Sequence, residues 1–447
     1  MVDMNVTEIL SQFIVDTKYE NLPAPVVDAA KIGILDGVAN MVAGSVQGLA
    51  DIIGNYVKDL GGTPQSTVVG WNFKTHPTNA AFANGIFGHC LDYEIQGFPP
   101  THGTSSCLPS ALALAEVGNC SGQKIIEAYV LGWEMQGRLR AASFSAANPA
   151  FHPPGMFGPL GGAAASAKIL DLDTHQTQMA LGIAASRTGG LTANTGTMVK
   201  STHPGNAARM GVEAALLARS GYTASDAILE TSRGYADALF DGNMDWDIVI
   251  GGLGASYRIS DPGFDIKRFP AQVYMQNPIE AVLNLRNKYG LTADMVQELV
   301  LKTSGRGHSG SLPKTGLDGK FSVEYCAASA LLDGEVVIDS FTDDKRFSQA
   351  MEQTLNKIKV EPDGLDSDPV VATALLHDGR SVSDECGKFT GSAGNPMGHQ
   401  LRMAKVWDCM SRVLDDSSGT TMVNLVEDME NIGDIATLMT IISQKTV

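Results

Sequence analysis

A long run of apolar residues at helical spacing, from about residue 4 to about residue 230, most constrains what this chain can fold into. Small residues lie among these apolar positions, as in residues 161–169 (GGAAASAKI) and 207–217 (AARMGVEAALL). Alanine and glycine on such faces allow neighbouring helices to approach each other closely. The first half of the chain is therefore predicted to form a multi-helix domain.

Individual helices can be placed within this half. Residues 23–44 begin with proline and end with glycine, which are start and stop signals for a helix. Similar runs at residues 105–117 and 125–139 predict two more helices.

The sequence changes in character after residue 265. β-Branched residues cluster in three short segments that are predicted to be strands: residues 296–303, 336–341 and 370–376. Helical spacing then returns, and the end of the chain is expected to pack back against the first half. The sequence thus predicts a mainly α protein in two parts: a discontinuous large multi-helix domain of residues 1–265 and 402–447, and a smaller α+β lid domain of residues 266–401.

Composition excludes several classes of protein. The 447 residues are 44% hydrophobic, enough for two folded domains with a large core. The net charge of −17 argues against nucleic acid or an anionic membrane surface as a partner. The sequence has no apolar run that could span a bilayer, no signal-peptide layout and no C-x-x-C spacing among its six cysteines, so we expect a cytoplasmic protein.

Histidines and acids are densest in residues 88–106, where His89, Asp92, Glu94 and His102 surround a Phe-Pro-Pro bend. Residues three apart on a helix share a face, so the carboxylate of Asp92 could orient the imidazole of His89, as in general acid–base catalysis. The same pair could instead cap a helix or lie in the core. The four side chains could also bind a divalent ion, but their spacing matches no standard motif, and no metal site is predicted.

Basic residues stand at three further places. His152 precedes a glycine- and alanine-rich helix whose N-terminus would present free N–H groups to an anion. Lys200, His203 and Arg209 supply cations where a polar loop opens another helix. Lys267 lies at the predicted domain junction, where ligand clefts often form. Each group also has a plainer explanation. His152 could be an ordinary loop histidine, the cations at the start of the second helix could be solvated surface charges, and Lys267 could belong to an interdomain ion pair.

Six stretches together resemble the MmgE/PrpD family, and the resemblance runs through nearly the whole chain: residues 88–102, 152–165, 196–209, 267–270, 319–334 and 394–397. The family includes 2-methylcitrate dehydratase, cis-aconitate decarboxylase and iminodisuccinate epimerase. The resemblance implies a homodimer whose subunits have a large helical domain and a smaller α+β lid. It also implies a small anionic carboxylate as substrate and no metal or organic cofactor.

The resemblance further implies roles for single residues. Those that match the decarboxylase site are Asp92, His102, His152, Lys200, Lys267 and Tyr325. His102 is expected to transfer the proton, because imidazole titrates near neutral pH. Asp92 is expected to orient the His102 ring or to hold its tautomer. His152 and His203 are expected to bind a carboxylate or to supply a second acid–base group. Tyr325 would offer its phenol to a substrate oxygen, although a tyrosine on a mostly apolar helix more often belongs to the core.

The chain departs from the family pattern at two places. The decarboxylase-like pattern Asp-Phe-Asp-Asp-Thr reads Asp92-Tyr93-Glu94-Ile95-Gln96 here, which loses an acid and a hydroxyl. Gln272 and Gln276 stand where family members commonly carry a histidine, and glutamine cannot transfer a proton at neutral pH. Residues 196–200 and 319–324, by contrast, are especially similar to the epimerase branch. The full set of predicted substrate-binding residues is His203, Lys267, Arg209, Tyr325, Gln96 and Gln272.

The sequence therefore predicts a cofactor-independent enzyme that removes or returns a proton next to a carboxylate of a small di- or tricarboxylate. The departures favour an epimerase-like reaction, as in iminodisuccinate epimerase, or a divergent lyase. The alternatives are a lyase of the 2-methylcitrate dehydratase or cis-aconitate decarboxylase type, and a catalytically silent anion-binding protein. An enediolate-like intermediate needs nearby cations, which Lys200 and Lys267 would supply.

Overall fold

The computed structural model describes residues 5–362 and 369–447 of the chain. Residues 1–4 of the first predicted domain and residues 363–368 of the second lie outside these ranges. Within them the protein is mainly α, as predicted, with eighteen α-helices and eight strands. No helix in the same ranges combines the length and the apolar character that crossing a membrane requires.

Most helices lie in the first part of the chain: α1 (Val6–Asp16), α2 (Ala24–Gly44), α3 (Ala50–Leu60), α4 (Pro77–His89), α5 (Thr104–Gly118), α6 (Gly122–Ala142), α7 (Pro153–Ile169), α8 (Thr174–Ala185), α9 (Val199–Arg219), α10 (Tyr235–Phe240) and α11 (Trp246–Ile250). The predicted lid contains α12 (Gln276–Tyr289), α13 (Val323–Asp333), α14 (Asp343–Arg346) and α15 (Gln349–Leu355), and the chain ends with α16 (His399–Met410), α17 (Asp416–Glu427) and α18 (Ala436–Ser443). The three helices predicted from start and stop signals are observed as α2, α5 and α6.

Helices α4, α7 and α9 meet at glycine contacts. A Cβ atom on Gly205 of α9 would lie 2.8 Å from the backbone oxygen of Phe82 in α4. A Cβ atom on Gly211 of α9 would lie 2.3 Å from the backbone carbon of Gly162 in α7. The close helix approach that the small residues predict is therefore present here, and it brings the C-terminal end of α4 next to the N-terminal ends of α7 and α9.

The strands are short apart from those of one sheet: β1 (Ser66–Val68), β2 (Phe73–Thr75), β3 (Gln96–Gly97), β4 (Phe264–Asp265), β5 (Val296–Thr303), β6 (Ile358–Pro362), β7 (Val370–Leu376) and β8 (Ser381–Cys386). Strands β5 to β8 form a sheet in the order β6-β5-β7-β8, with β5 and β6 parallel and the other neighbours antiparallel. Helices α12 and α13 pack against this sheet. Burial alternates along β7, as expected when successive side chains point to opposite faces.

Two of the three predicted strands are confirmed, since β5 and β7 have the predicted bounds. The predicted strand at residues 336–341 is wrong, because Ile338–Phe341 forms a 3₁₀ helix. Ser340 Oγ accepts a hydrogen bond from the backbone N–H of Val337, and the backbone oxygen of Ser340 accepts one from the Tyr325 hydroxyl. These two hydrogen bonds satisfy main-chain groups that a strand would offer to a neighbouring strand.

The C-terminal helices share a hydrophobic core with the first part of the chain. Helices α16 and α17 contact α2, and α18 contacts β1. Cys409 and Ile442 belong to the same buried apolar cluster as Ile34 of α2. The domain boundaries themselves stay predictions.

Candidate active site

The ends of three helices and one loop bring five side chains into one buried cluster. His89 is the last residue of α4, His152 directly precedes α7, and Lys200 and His203 lie near the start of α9. The ring centroids of His89 and His152 are 5.8 Å apart, and those of His152 and His203 are 5.1 Å apart. His102, in the loop before α5, has its ring centroid 4.8 Å from that of His89. All five side chains are buried.

Glu94 lies between two of these imidazoles. Its Oε1 atom is 2.5 Å from Nδ1 of His89 and 2.9 Å from Nδ1 of His102. The hydroxyl of Ser105 also donates to this oxygen, at 3.2 Å. The other carboxylate oxygen is buried and accepts no hydrogen bond from the described residues. One carboxylate can therefore fix the ring orientation of both histidines.

Asp92 binds two lysines. The ammonium group of Lys200 donates to Oδ2 of Asp92, and that of Lys267 donates to Oδ1. Lys267 also donates to the backbone oxygen of Asp92, at 2.9 Å. Strand β4, just before Lys267, pairs with β3, just after Asp92. These contacts connect α9 and the 88–106 segment to the predicted domain junction.

A buried ion pair holds the residues on both sides of Glu94. Lys405 of α16 donates to the backbone oxygen of Tyr93 at 2.7 Å, and Asp36 of α2 accepts from the N–H of Ile95 at 3.0 Å. The ammonium group of Lys405 is 2.5 Å from Oδ2 of Asp36. The position of Glu94 thus depends on helices from both ends of the chain.

Burial keeps the imidazoles neutral near pH 7. The pKa of His89 falls to about 4, because burial, together with the nearby Lys200 ammonium group, outweighs the opposing effect of the Glu94 carboxylate. Burial also lowers the pKa of the other histidines of the cluster, with lysine ammonium groups adding to the effect: His102, His152 and His203. A neutral imidazole is the form that can accept a proton.

The two carboxylates of the cluster stay ionised. Burial alone would raise the pKa of each, but neighbouring positive groups more than offset this effect. The ammonium groups of Lys200 and Lys267 hold the pKa of Asp92 well below its usual range. The imidazoles beside Glu94, which become positively charged in the acid range where a carboxylate titrates, lower its pKa by charge attraction and by hydrogen bonding.

The contacts of His89 determine its tautomer. The ammonium group of Lys200 lies 3.0 Å from Nε2 of His89, and an ammonium group can only donate. Nε2 is therefore the accepting nitrogen, and the proton of the neutral ring is on Nδ1, facing Glu94. Nδ1 of His102 lies 2.9 Å from the same carboxylate but outside hydrogen-bond geometry. The negative charge of Glu94 favours the proton on this nitrogen, which leaves Nε2 of His102 to take a proton from a substrate.

His152 and His203 form a second imidazole pair. Their Nδ1 atoms are 3.0 Å apart, so one ring donates and the other accepts. The backbone N–H of His152 is bound to the oxygen of Gly190, which holds the residue at the start of α7. The ring centroid of His152 is 6.3 Å from that of His102.

The predicted pairing of Asp92 with a histidine is wrong, and the carboxylate that faces the imidazoles belongs to Glu94. Helix α4 ends at His89, and Asp92 has a φ of 53°, a left-handed conformation that aspartate tolerates. The chain therefore reverses, and Glu94 reaches back to His89. A spacing of three predicts a shared face only while the helix continues. The sequence signal for Glu94 and His89 was their place in the densest run of acids and histidines.

Arg209 and Tyr325 do not have the predicted positions. Arg209 lies in the middle of α9 instead of at its start, with its guanidinium group 5.9 Å from the ring centroid of Phe82. Tyr325 is fully buried in the core of the predicted lid, and its hydroxyl donates to Ser340 at 2.6 Å. The alternative reading of Tyr325 as a core residue is the one that the structure supports.

The three glutamines differ in their surroundings. Gln96 is buried in β3 and lines a cleft of about 500 Å³ whose other side includes Lys388. Gln272 precedes a 3₁₀ helix, and its N–H donates to the backbone oxygen of Lys320 at 3.1 Å. Gln276 is fully buried and exchanges hydrogen bonds with the main chain of residues 268–271. Gln276 therefore shapes the turn after Lys267.

His89, Glu94 and His102 are also the one trio of potential metal ligands within the described ranges, with ligand atoms within 4.8 Å of one another. A divalent ion would have to insert between atoms already at hydrogen-bond distance. It would also face the Lys200 ammonium group, 3.0 Å from His89. The trio fits a hydrogen-bonded acid–base unit better than a cation site.

A cavity of about 20 Å³ adjoins the cluster, with room for about one water molecule. It is lined on one side by His89, Asp92 and Lys200, and on the other by residues 317, 320 and 321 of the predicted lid. The cluster therefore lies where the helical part and the lid meet.

This fold and this cluster define a mainly helical, two-part protein with a buried acid–base centre. The sequence matches the family model for the MmgE/PrpD N-terminal domain over residues 8–247, and the one for the MmgE/PrpD C-terminal domain over residues 269–431. The chain belongs to the MmgE/PrpD family, which confirms the resemblance seen in six stretches of the sequence.

Curated relatives are similar to the chain over nearly their whole length. The cis-aconitate decarboxylase of Homo sapiens is 28% identical, covering 99% of this chain and 95% of that protein. The enzyme of the same name from Mus musculus is 28% identical over 100% of this chain and 95% of its own length. The enzyme of the same name from Aspergillus terreus is 27% identical over 95% of this chain and 93% of its own length. Family membership and these relatives identify the chain as an enzyme.

Proposed function

We propose that this protein is a lyase that acts on a small di- or tricarboxylate by proton transfer next to a carboxylate. One observation carries the proposal: Nε2 of His102 is left as a base in a buried cluster that also holds the ammonium groups of Lys200 and Lys267. A neutral base near fixed cations suits the removal of a proton from carbon beside a carboxylate. The decarboxylase relatives support a lyase over an isomerase.

In an elimination, Nε2 of His102 takes the proton from the carbon next to the carboxylate. The electron pair left on carbon delocalises into the carboxylate as an enediolate, whose charge Lys200 and Lys267 stabilise. The pair then forms the carbon–carbon double bond while a hydroxyl on the next carbon leaves as water. His152 or His203 supplies the proton for that water as an imidazolium, which forms when the bound polyanionic substrate raises its pKa.

In a decarboxylation, the bond to one carboxylate breaks and CO₂ leaves. The electron pair stays on the substrate, delocalises towards a remaining carboxylate and finally accepts a proton at carbon. An imidazolium must donate this proton, whereas burial lowers the pKa of His102. A polyanionic substrate raises the pKa of an imidazole beside it, so binding itself would prepare the acid. The names of the relatives make cis-aconitate the first substrate to test.

One feature favours an epimerase-like reaction as a second candidate. An epimerase with two bases needs an acid–base group on each side of the reacting carbon. The cluster holds His102 apart from the His152–His203 pair, with 6.3 Å between the ring centroids of His102 and His152. A neutral imidazole on one side of a carbon could remove its proton while an imidazolium on the other side returns one.

The proposal is tested by incubating the purified protein in heavy water with cis-aconitate, 2-methylcitrate and iminodisuccinate, followed by NMR and mass spectrometry. Loss of CO₂ or of water is the expected result. Deuterium uptake at carbon without a change of composition would replace the lyase by an epimerase. A ligand-induced rise in melting temperature with neither turnover nor exchange would indicate a silent anion-binding protein and contradict the proposal.

Lysine variants provide the matched control. Lys200→Met removes a cation from the cluster and is expected to lower kcat by about 10²-fold or more, because charge stabilisation in the transition state is lost. Lys302→Met removes an exposed charge from β5 and is expected to leave kcat unchanged. Equal activity of the two variants would contradict the assignment of Lys200.

A further inference from the structure

A third lysine reaches the cluster from the predicted lid. Lys320 lies in the 3₁₀ helix Asp318–Phe321, and only 3% of it is exposed. Its ammonium group donates to the backbone oxygen of Leu91 at 2.8 Å. Its side chain lines the cavity of about 20 Å³ together with Asp92 and Lys200. The proton-transfer scheme above gives this lysine no role.

The buried charges of the cluster do not balance. Lys200 and Lys267 share the single carboxylate of Asp92, and Glu94 is occupied by two neutral imidazoles. Lys320 brings the ammonium groups to three against two carboxylates, and its hydrogen bond goes to a backbone carbonyl instead of a carboxylate. The side chains of the cluster therefore carry an excess of one positive charge.

An excess buried cation is costly unless an anion pairs with it. Burial lowers the pKa of the Lys320 ammonium group to about 8, which is the sign of this cost. Its one polar partner is a neutral carbonyl, and its other close contact is the ring of Phe341, at 5.3 Å. A carboxylate entering the cavity would satisfy the ammonium group and restore the charge balance.

We propose that Lys320 binds a carboxylate of the substrate that does not react, and that it thereby selects substrates with an additional negative charge. The inference rests on the proposed function. The lysine lines the cavity from the predicted lid, whereas His89 and Lys200 line it from the helical part, with His102 next to His89. A substrate bound by both sides is held across the junction with its reacting carbon next to His102.

Lys320→Gln separates this role from a purely structural one. Glutamine keeps an N–H donor for the oxygen of Leu91 but carries no charge. The probes are propane-1,2,3-tricarboxylate and butanedioate, with affinities measured by calorimetry. We expect the variant to bind the tricarboxylate about tenfold or more weakly, with a smaller loss for the dicarboxylate. Its melting temperature without ligand should be equal to that of the wild type or higher, because the substitution removes a costly buried charge. For a turned-over substrate, KM should rise while kcat changes little.

Lys302→Gln, on the exposed side of β5, is the control and is expected to bind both probes like the wild type. Lys320→Arg keeps the charge and is expected to retain the preference for the tricarboxylate, which provides a second variant if Lys320→Gln does not fold. Wild-type affinity of Lys320→Gln for both probes overturns the inference. So does an equal loss for both probes together with a lower melting temperature, because that result indicates a structural role. A wild type that binds neither probe and converts no polycarboxylate refutes the proposed function as well.

Discussion

Burial and neighbouring charges shift the pKa values of the cluster in opposite directions, and the balance sets the protonation state of each residue. The pKa of His89 falls to about 4 although the Glu94 carboxylate lies 2.5 Å away. A lowered pKa also affects stability, because each pKa unit corresponds to about 1.4 kcal/mol of free energy between the two protonation states. The neutral imidazole that suits proton abstraction is also the form that the folded protein prefers.

This preference predicts that the protein loses stability in mild acid. The pKa of His89 is lower in the folded state, at about 4, than its ordinary value of 6.5, so the unfolded chain binds more protons between these values. Its contribution is therefore complete above 6.5 and is lost as the pH falls towards 4. From about pH 7 to about pH 5, His89 alone should lower the free energy of unfolding by about 2 kcal/mol, which urea unfolding at each pH will measure.

His89→Gln should remove this contribution, so that the free energy of unfolding falls by about 2 kcal/mol less than in the wild type between about pH 7 and about pH 5. His399→Gln, which replaces a histidine whose side chain is 68% exposed, should leave the dependence parallel to that of the wild type. Parallel curves for wild type and His89→Gln would show that the pKa of His89 is not lowered in the folded protein.

The sequence predicted which kinds of residue lie together in the site, and it predicted most of the individual residues. His102, His152, Lys200, His203 and Lys267 are brought together, as expected. The role of Asp92 was mistaken because a helix end and one left-handed residue decide which carboxylate faces the imidazoles. Spacing in the sequence does not reveal where a helix ends to within one residue.

Among the elements, α7 and α9 set the geometry of the site, because His152 and Lys200 lie at their N-terminal ends. Their spacing depends on Gly211, where an added Cβ would lie 2.3 Å from backbone of α7. Backbone cannot rotate away as a side chain can. Overpacking of this kind costs about 1–3 kcal/mol and outweighs the gain of up to about 1 kcal/mol from replacing glycine by alanine in a helix.

Gly211→Ala is therefore expected to lower the free energy of unfolding by about 1–2 kcal/mol and to reduce activity, as measured by urea unfolding and by turnover. Gly48→Ala is the control, because a Cβ there would meet no atom within 4 Å. An unchanged or higher stability of Gly211→Ala would contradict the claim that close contact between α7 and α9 shapes the site.

The elements also show what periodicity can and cannot predict. Burial alternates on β7 and helical spacing is regular on α2, and both were predicted nearly to the residue. Residues 336–341 have the composition of a strand, but the Ser340 side chain and the Tyr325 hydroxyl satisfy the main chain there. The second of these partners is distant in sequence, and composition cannot predict it.

For the whole molecule, the junction between the helical part and the lid is nearly closed beside Lys200. The cavity beside Lys200 measures about 20 Å³, whereas ligand pockets usually measure about 300–1,000 Å³. We therefore expect residues 317–321 to move away from the start of α9 when a polycarboxylate binds beside Lys200. The sequence predicted the two parts and a cleft between them, but not how closely they meet.

Hydrogen–deuterium exchange should detect this movement. Residues 317–321 and 197–201 should exchange more slowly with saturating propane-1,2,3-tricarboxylate than without it, because bound ligand holds the two sides together. Strand β7, in the core of the predicted lid, should exchange at the same rate in both states. Identical exchange at residues 317–321 with and without a ligand that binds would contradict the movement.

A comparison of three proteins decides whether a histidine beside Glu94 moves a proton next to a carboxylate. Wild type, His102→Gln and the surface variant His399→Gln are compared in heavy water on the substrate that the wild type accepts, by the rate of deuterium entry at carbon or of product formation. The account predicts wild-type rates for His399→Gln and a loss of about 10²–10⁴-fold for His102→Gln, with circular dichroism unchanged. Full activity of a folded His102→Gln would contradict it.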